Sequence, residues 1–238
     1  MTILKQPVSI LCVKTGSKYT EKDVKILYKM VKRNCTLPFI FYCLTDNVCD
    51  LPDGVVGIKV DPELDLETYW WKICLFDLQW NENVLYLDLD IVIQNNIDYI
   101  FQEDIGTKLK CLNINHAGIY YPCDGEEDSP MTIPPGLINS SLLYFNPIHQ
   151  IKLYEQFIKD TNYNIIHYYG LDRFIFHNNK NLTYFDFGKD YYFRNKGHNG
   201  YDKKFIDDSE RIYDPQKTFC IMNQRRPRDL LGLEKYFI

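Results

Sequence analysis

Val84-Leu85-Tyr86-Leu87-Asp88-Leu89-Asp90-Ile91-Val92-Ile93 is the stretch on which the reading of this chain turns. Its first four residues are apolar or aromatic and predict a buried strand over Val84–Leu87. Asp88 and Asp90 close that strand, and a second apolar run follows at once. In extended backbone, residues i and i+2 point the same way, so both carboxylates are expected on one side of the strand end. They repel each other unless a cation lies between them, and carboxylates set between apolar runs are costly unless paired or metal-bound. A hard divalent ion suits such oxygen ligands, and it can bridge to a diphosphate. The plain alternative is a solvent-facing strand end with two ordinary aspartates, because a bare Asp-x-Asp is common by chance.

Upstream of this stretch the pattern alternates. Val8–Val13 predicts a buried strand, ended by Lys14-Thr15-Gly16-Ser17. Thr20–Lys32 predicts a helix: Val24, Leu27, Tyr28 and Val31 share one face, and Lys22, Lys25, Lys29 and Lys32 point elsewhere. Phe39–Leu44 and Val55–Val60 predict two more buried strands. Thr68–Leu78 predicts a helix with Trp71, Leu75 and Leu78 on one side. This order argues for an α/β domain with a mainly parallel central sheet. Ligands of such sheets bind beyond the carboxyl ends of the strands, where Lys14 to Lys18, Asp46 and Asp88 to Asp90 all fall.

Downstream, Leu109–Ile114, Leu137–Phe145 and Leu182–Phe187 read as strands, and Ile148–Lys159 and Leu171–His177 as helices. Asp124–Pro135 is acidic and proline-rich and reads as a loop. Tyr191–Asp208 is polar, contains Gly197 and Gly200, and reads as a mobile loop. No repeat, low-complexity tract or interdomain linker interrupts the chain, so a single domain over 1–238 is expected, with a nucleotide-binding half to about residue 95 and an acceptor half after it.

Composition narrows the function. The 238 residues carry 27 Lys and Arg against 32 Asp and Glu, a net charge of −5, which argues against a general nucleic-acid binder. The local exception is Arg225-Arg226-Pro227-Arg228. Eight cysteines form no CxxC pair, so structural zinc is not expected and a reducing, cytoplasmic setting is the simpler reading. The N-terminus lacks a signal-peptide pattern and no apolar run is long enough to span a membrane. The sequons at Asn34, Asn139 and Asn181 are then chance matches. His116, His149, His167 and His177 show no ligand spacing, and His198 sits in a Gly-flanked loop. Serine-hydrolase, P-loop and zinc-protease motifs do not occur. The many Lys, Asn, Ile and Tyr suit a virus or a low-GC bacterium.

Tyr86-Leu87-Asp88-Leu89-Asp90 resembles the DxD motif of GT-A fold glycosyltransferases. The neighbouring segments resemble the same group in order. Phe41-Tyr42-Cys43-Leu44-Thr45-Asp46 is similar to its second strand, and Tyr69-Trp70-Trp71-Lys72-Ile73-Cys74-Leu75-Phe76 to the helix before the DxD. Asn139-Ser140-Ser141-Leu142-Leu143 is similar to the acceptor-side strand, and Gly170-Leu171-Asp172-Arg173 to the later G-D-Q element. The resemblance runs from Val8 to Arg228 and is to glycogenin-like, family 8 type enzymes and to bacterial or viral polysaccharide transferases. It implies that Asp88 and Asp90 hold Mn²⁺ or Mg²⁺ and, through it, the diphosphate of a nucleotide sugar, with Leu89 between them at the donor. It places Val13, Thr15 and Tyr19 near base and ribose, with Tyr19 either stacking on the base or serving as a surface aromatic at the helix start. Asp46 either accepts from the base or is a turn residue. Lys72 either reaches the diphosphate or is a solvated helix position. Asn139 and Ser140 would face the sugar and Asp172 the reaction centre.

The chain departs from the pattern at its C-terminus. Where related enzymes carry a metal-binding His in H-F-x-G-x-x-K-P, this chain has Phe219-Cys220-Ile221-Met222-Asn223-Gln224-Arg225-Arg226-Pro227-Arg228. Asn223 stands where the ligand or its neighbour is expected, and an Asn carbonyl can bind a hard cation. Arg225, Arg226 and Arg228 either pair with diphosphate oxygens or form a solvated tail. The expected activity is transfer of a sugar, from a UDP-sugar by the resemblance, to a hydroxyl of an acceptor such as a glycan. The resemblance favours retention of the anomeric configuration. A binding protein that keeps the fold without catalysis is the alternative. A sugar-phosphate nucleotidyltransferase is a third reading, and Lys14-Thr15-Gly16-Ser17-Lys18 is too poor in glycine to match its signature.

Overall fold

β1 (Val8–Lys14) is the organising strand of a computed structural model that describes residues 6–114, 137–193 and 214–221. It pairs in parallel with β2 (Phe39–Thr45) on one side and with β4 (Val84–Leu87) on the other. β3 (Val55–Lys59) adds in parallel to β2. Beyond β4 the direction reverses at β7 (Ile138–Phe145), which is followed by β6 (Leu109–Asn113) and β8 (Leu182–Tyr184). The resulting seven-stranded sheet has the order β3-β2-β1-β4-β7-β6-β8. A second sheet of three short strands, β5 (Ile91–Ile93), β10 (Phe219–Ile221) and β9 (Tyr191–Phe193), lies after the aspartate turn.

Strand alternation sends side chains to two cores, one on each face of the large sheet. Ile10, Cys12, Phe41, Leu85 and Leu87 face α1 (Glu21–Asn34) and the small sheet. Leu11, Val84, Tyr86, Leu143 and Phe145 face a 3-10 helix, Thr68–Asp77, together with α2 (Pro147–Lys159) and α4 (Leu171–Asn178). α3 (Thr161–Tyr168) links α2 to α4. Trp70 stacks on Phe157 at 5.1 Å between ring centres, and Phe174 meets Phe157 edge-on, arrangements that aromatic quadrupoles favour. α1 begins as its sequence predicts, with Asp23 accepting the Thr20 backbone N–H at 2.8 Å.

Four expectations change. Val55–Lys59 forms a strand but not a buried one: it is the sheet edge, and Val56 is 47% exposed. Thr68–Asp77 is helical but winds as a 3-10 helix, in which residues three apart eclipse. Its buried row is therefore Trp70, Ile73 and Phe76, alongside Trp71 and Leu75, rather than one α-helical stripe. The strand expected over Leu182–Phe187 ends at Tyr184. Tyr191 and Tyr192 belong to a buried strand rather than a mobile loop. Their hydroxyls are satisfied inside, Tyr191 donating to Asn113 O and Tyr192 to Gln94 Oε1, both at 2.6 Å. The remainder of that loop, like Asp124–Pro135, lies outside the described residues.

Candidate active site

The carboxyl ends of β1, β2 and β4 lie side by side, and each is followed by polar residues. After β4 the chain does not stay extended. The Ile91 N–H bonds back to Asp88 O at 3.2 Å, so Asp88-Leu89-Asp90-Ile91 is a turn. The alternation expected to align the two carboxylates therefore stops at Asp88, and the turn presents them instead. The Asp88 N–H donates to Ser141 O at 2.8 Å, which pins the turn to β7. The Leu89 side chain packs into the core at 2% exposure, leaving its main chain for any ligand.

Each carboxylate has its own partners. Lys72 Nζ lies 2.8 Å from both Asp88 oxygens. The Tyr86 hydroxyl donates to Asp88 Oδ1, and the Lys72 ammonium sits 5.6 Å above the Tyr86 ring. The Tyr19 hydroxyl donates to Asp90 Oδ2 at 3.3 Å. Asp172, at the start of α4, accepts the Ser140 N–H on Oδ1 at 3.0 Å, and Asn139 Oδ1 accepts the Ser141 N–H at 2.9 Å. At the β1 and β2 ends, Lys14 lies 3.8 Å from Asp46, and the Gly16 N–H donates to Asp46 Oδ2 at 2.8 Å. Val13 and Thr15 are half-buried beside them.

The electrostatics follow from burial and crowding of like charge. Burial raises the Asp172 pKa; Lys72 and Ser140 oppose that rise, and Asp88 adds to it. For Lys72, burial disfavours the charged form, but Asp88, Asp172 and Asp90 outweigh it and the pKa is raised. Tyr19 and Tyr86 are held protonated, first by burial and then by the charges of Asp90 and Asp88. Three carboxylates thus act on one lysine. The oxygen donors of the site fit a hard divalent cation. Asp88 and Asp90 are the two residues that could hold it, and among the described residues no third His, Cys, Asp or Glu joins them in a metal-binding group.

The structure brings together Tyr19, Lys72, Asp88, Asp90, Ser140 and Asp172, and sets Asp46 at the neighbouring strand end. Asn223, Arg225, Arg226, Arg228 and His198 lie outside the described residues. Tyr86 was not singled out by its sequence. Its signal is its place two residues before Asp88 on one strand, which puts both side chains on one face. A surface groove of about 510 Å³ lined by Tyr42, Trp80, Asn81 and Glu82 lies elsewhere. Glu82 is bonded there by Ser9, near the start of β1, so the groove is at the amino-terminal end of the sheet and apart from these residues.

No protein-family model matches the sequence, and no curated protein matches it at a significant level. Solved structures do. An active-site mutant of LgtC superposes with a TM-score of 0.63 at 12% identity, covering 96% of this chain and 94% of that one. The galactosyltransferase LgtC in complex with donor and acceptor sugar analogues gives 0.62 at 12% identity over the same shares. The bifunctional glycosyltransferase WbbM in its apo form gives 0.56 at 9% identity, covering 82% of this chain and 41% of that one. With its mixed seven-stranded sheet flanked by helices, this chain has the GT-A glycosyltransferase fold and is similar to transferases of family 8 type.

Proposed function

We propose that the protein is a metal-dependent glycosyltransferase that moves a sugar from a nucleoside-diphosphate sugar, a UDP-sugar in the favoured reading, to an acceptor hydroxyl, with a glycan as the acceptor class. The observation that carries this reading is the Asp88–Asp90 turn at the carboxyl end of β4, faced by Lys72, Tyr19 and Asp172. Mn²⁺ or Mg²⁺ held by Asp88 and Asp90 would neutralise charge on the departing diphosphate. Lys72 supplies a second positive charge for diphosphate oxygens. Tyr19 and Asp46 meet the base, Val13 and Thr15 flank the ribose, and Asn139 and Ser140 border the sugar. Asn223, Arg225 and Arg226 are proposed to close over the donor from the C-terminal segment.

In a retaining reaction, the one favoured here, the leaving phosphate accepts the acceptor's proton and the Asp172 carboxylate stabilises positive charge on the sugar. In an inverting reaction Asp172 takes that proton itself. No helix among the described residues is long and apolar enough to cross a membrane, and the cysteine pattern favours a cytoplasmic setting. The Lys72 contact with both Asp88 oxygens favours one second reading, a binding protein in which the ammonium stands permanently where a metal would act. Nucleotide release from UDP- and GDP-sugars, with Mn²⁺ and with EDTA, separates the two. Turnover that needs metal and disappears in Asp88→Asn supports the transferase. Tight UDP binding without turnover of any donor supports the binding protein.

A further inference from the structure

Tyr86 lies on β4 between two neighbours, in register with Leu11 of β1 and Leu143 of β7. Its side chain is 1% exposed. A phenol ring has two rotatable bonds, and close packing leaves a buried ring little freedom in either. The position of its hydroxyl is therefore set by the sheet. That hydroxyl donates to Oδ1 of Asp88.

We infer that Tyr86 is a positioning residue, which fixes the rotation of the Asp88 carboxylate for its part in metal and diphosphate binding; the inference rests on the proposed transferase site. The two donors to Asp88 differ in kind. Lys72 is a point charge on a flexible four-carbon stem, and it can swing toward phosphate oxygens when a donor arrives. Tyr86 cannot follow, so it holds Asp88 while Lys72 moves. Its hydroxyl occupies one direction at Oδ1, so the directions that Lys72 now takes on both oxygens are the ones that would open to ligands when the ammonium swings away. Groups that orient a ligating side chain in this way typically change metal affinity by about 10- to 100-fold when removed.

The test is the Mn²⁺ affinity of the full chain in the presence of UDP, read by electron paramagnetic resonance of free Mn²⁺, for wild type and Tyr86→Phe. Phe keeps the ring and removes only the hydroxyl. Leu143→Val is the packing control, since it loosens the wall beside Tyr86 without touching the hydrogen bond. The inference expects Mn²⁺ binding to weaken about 10- to 100-fold in Tyr86→Phe and to stay near wild type in Leu143→Val. Equal affinity in Tyr86→Phe and wild type overturns it, as does an equal loss in both variants, which would mark a packing effect. If wild type itself fails to bind Mn²⁺ with UDP, the transferase site falls and the inference with it.

Discussion

Lys72 carries the positive charge about which the carboxylates of this site are arranged. Its side chain is 13% exposed and that of Asp88 17%, so removing the ammonium leaves a carboxylate largely out of water. Breaking a buried pair from one side costs about 3 kcal/mol. Lys72→Met is therefore expected to lower stability by up to that amount in urea denaturation at neutral pH, and to lower kcat/KM as well. The ion pair also has a pH window. The folded pKa of Lys72 is raised above 10.5, so its contribution is fully present below pH 10.5 and is lost as pH climbs through the higher folded value. Asp172 works in the acid range with the opposite sense. Its folded pKa is raised above 3.8, so the folded state holds its proton more tightly, and its ionisation lowers stability as pH rises from 3.8 through the folded value. Asp172→Asn should then be at least as stable as wild type at pH 7, with the difference shrinking toward pH 3.8, while turnover falls. A stability gap that widens on acidification would contradict this. That Asp88, Asp90, Lys72 and Asp172 come together was legible because each sits in a recognisable motif position. Tyr86 was not, because a tyrosine inside an apolar run looks the same whether its hydroxyl is idle or bonded.

At the scale of elements, the β1–α1 loop depends on Gly16, whose φ of +64° is left-handed. Its N–H reaches Asp46, so this one residue ties the ends of β1 and β2 together. A Cβ there would meet nothing within 4 Å, and the cost of Gly16→Ala is conformational, about 1 kcal/mol. The variant is expected to fold, with a small loss of stability in denaturation and weaker UDP binding by calorimetry. The long strands were readable because β1, β2, β4 and β7 are apolar runs of four or more residues with turn signals beside them. β5, β9 and β10 have three residues each, too few to show a period, and they exist through pairing: β10 meets β5 across more than 120 positions and β9 across 28. α3 was hidden for a different reason. Ile166 is 72% exposed, whereas Asn164 is buried and donates to the carbonyls of Gln156, Phe157 and Asp160. Its polar residue points in and an apolar one points out, the reverse of the usual helix pattern.

At the scale of the molecule, the sheet is parallel where it carries the proposed donor site and reverses next to β4, at β7. That reversal brings Asn139, Ser140 and Ser141 alongside the aspartate turn, and the Ser141 carbonyl holds Asp88 directly. The 3-10 helix that carries Lys72 is placed by the aromatic layer behind it. Trp70, two residues before Lys72, is 2% exposed against Phe157. Trp70→Ala is expected to destabilise the fold by about 4 kcal/mol in chemical denaturation and to weaken metal-dependent nucleotide binding, because the cavity frees the helix that aims Lys72. The whole-chain likeness to LgtC at 12% identity shows that this architecture is kept with few shared residues. The mainly parallel sheet was readable because it needs only the order of strands and helices. The reversal at β7 was not, because strand direction after β4 depends on a pairing that no local pattern encodes.

The most direct test of the central claim, that Asp88 and Asp90 form a metal–diphosphate site, is thermal unfolding with UDP, GDP, CMP and dTDP. Each is measured with Mn²⁺ and with chelator, on wild type and on the Asp88→Asn, Asp90→Asn double variant. A nucleotide at 100 times its Kd stabilises the folded state by about 2.7 kcal/mol, a readily measured shift. The account predicts that a nucleoside diphosphate, UDP first, raises the wild-type midpoint only with Mn²⁺ and leaves the double variant unmoved. A wild type that no nucleotide stabilises, or a shift that survives loss of both aspartates, would contradict it.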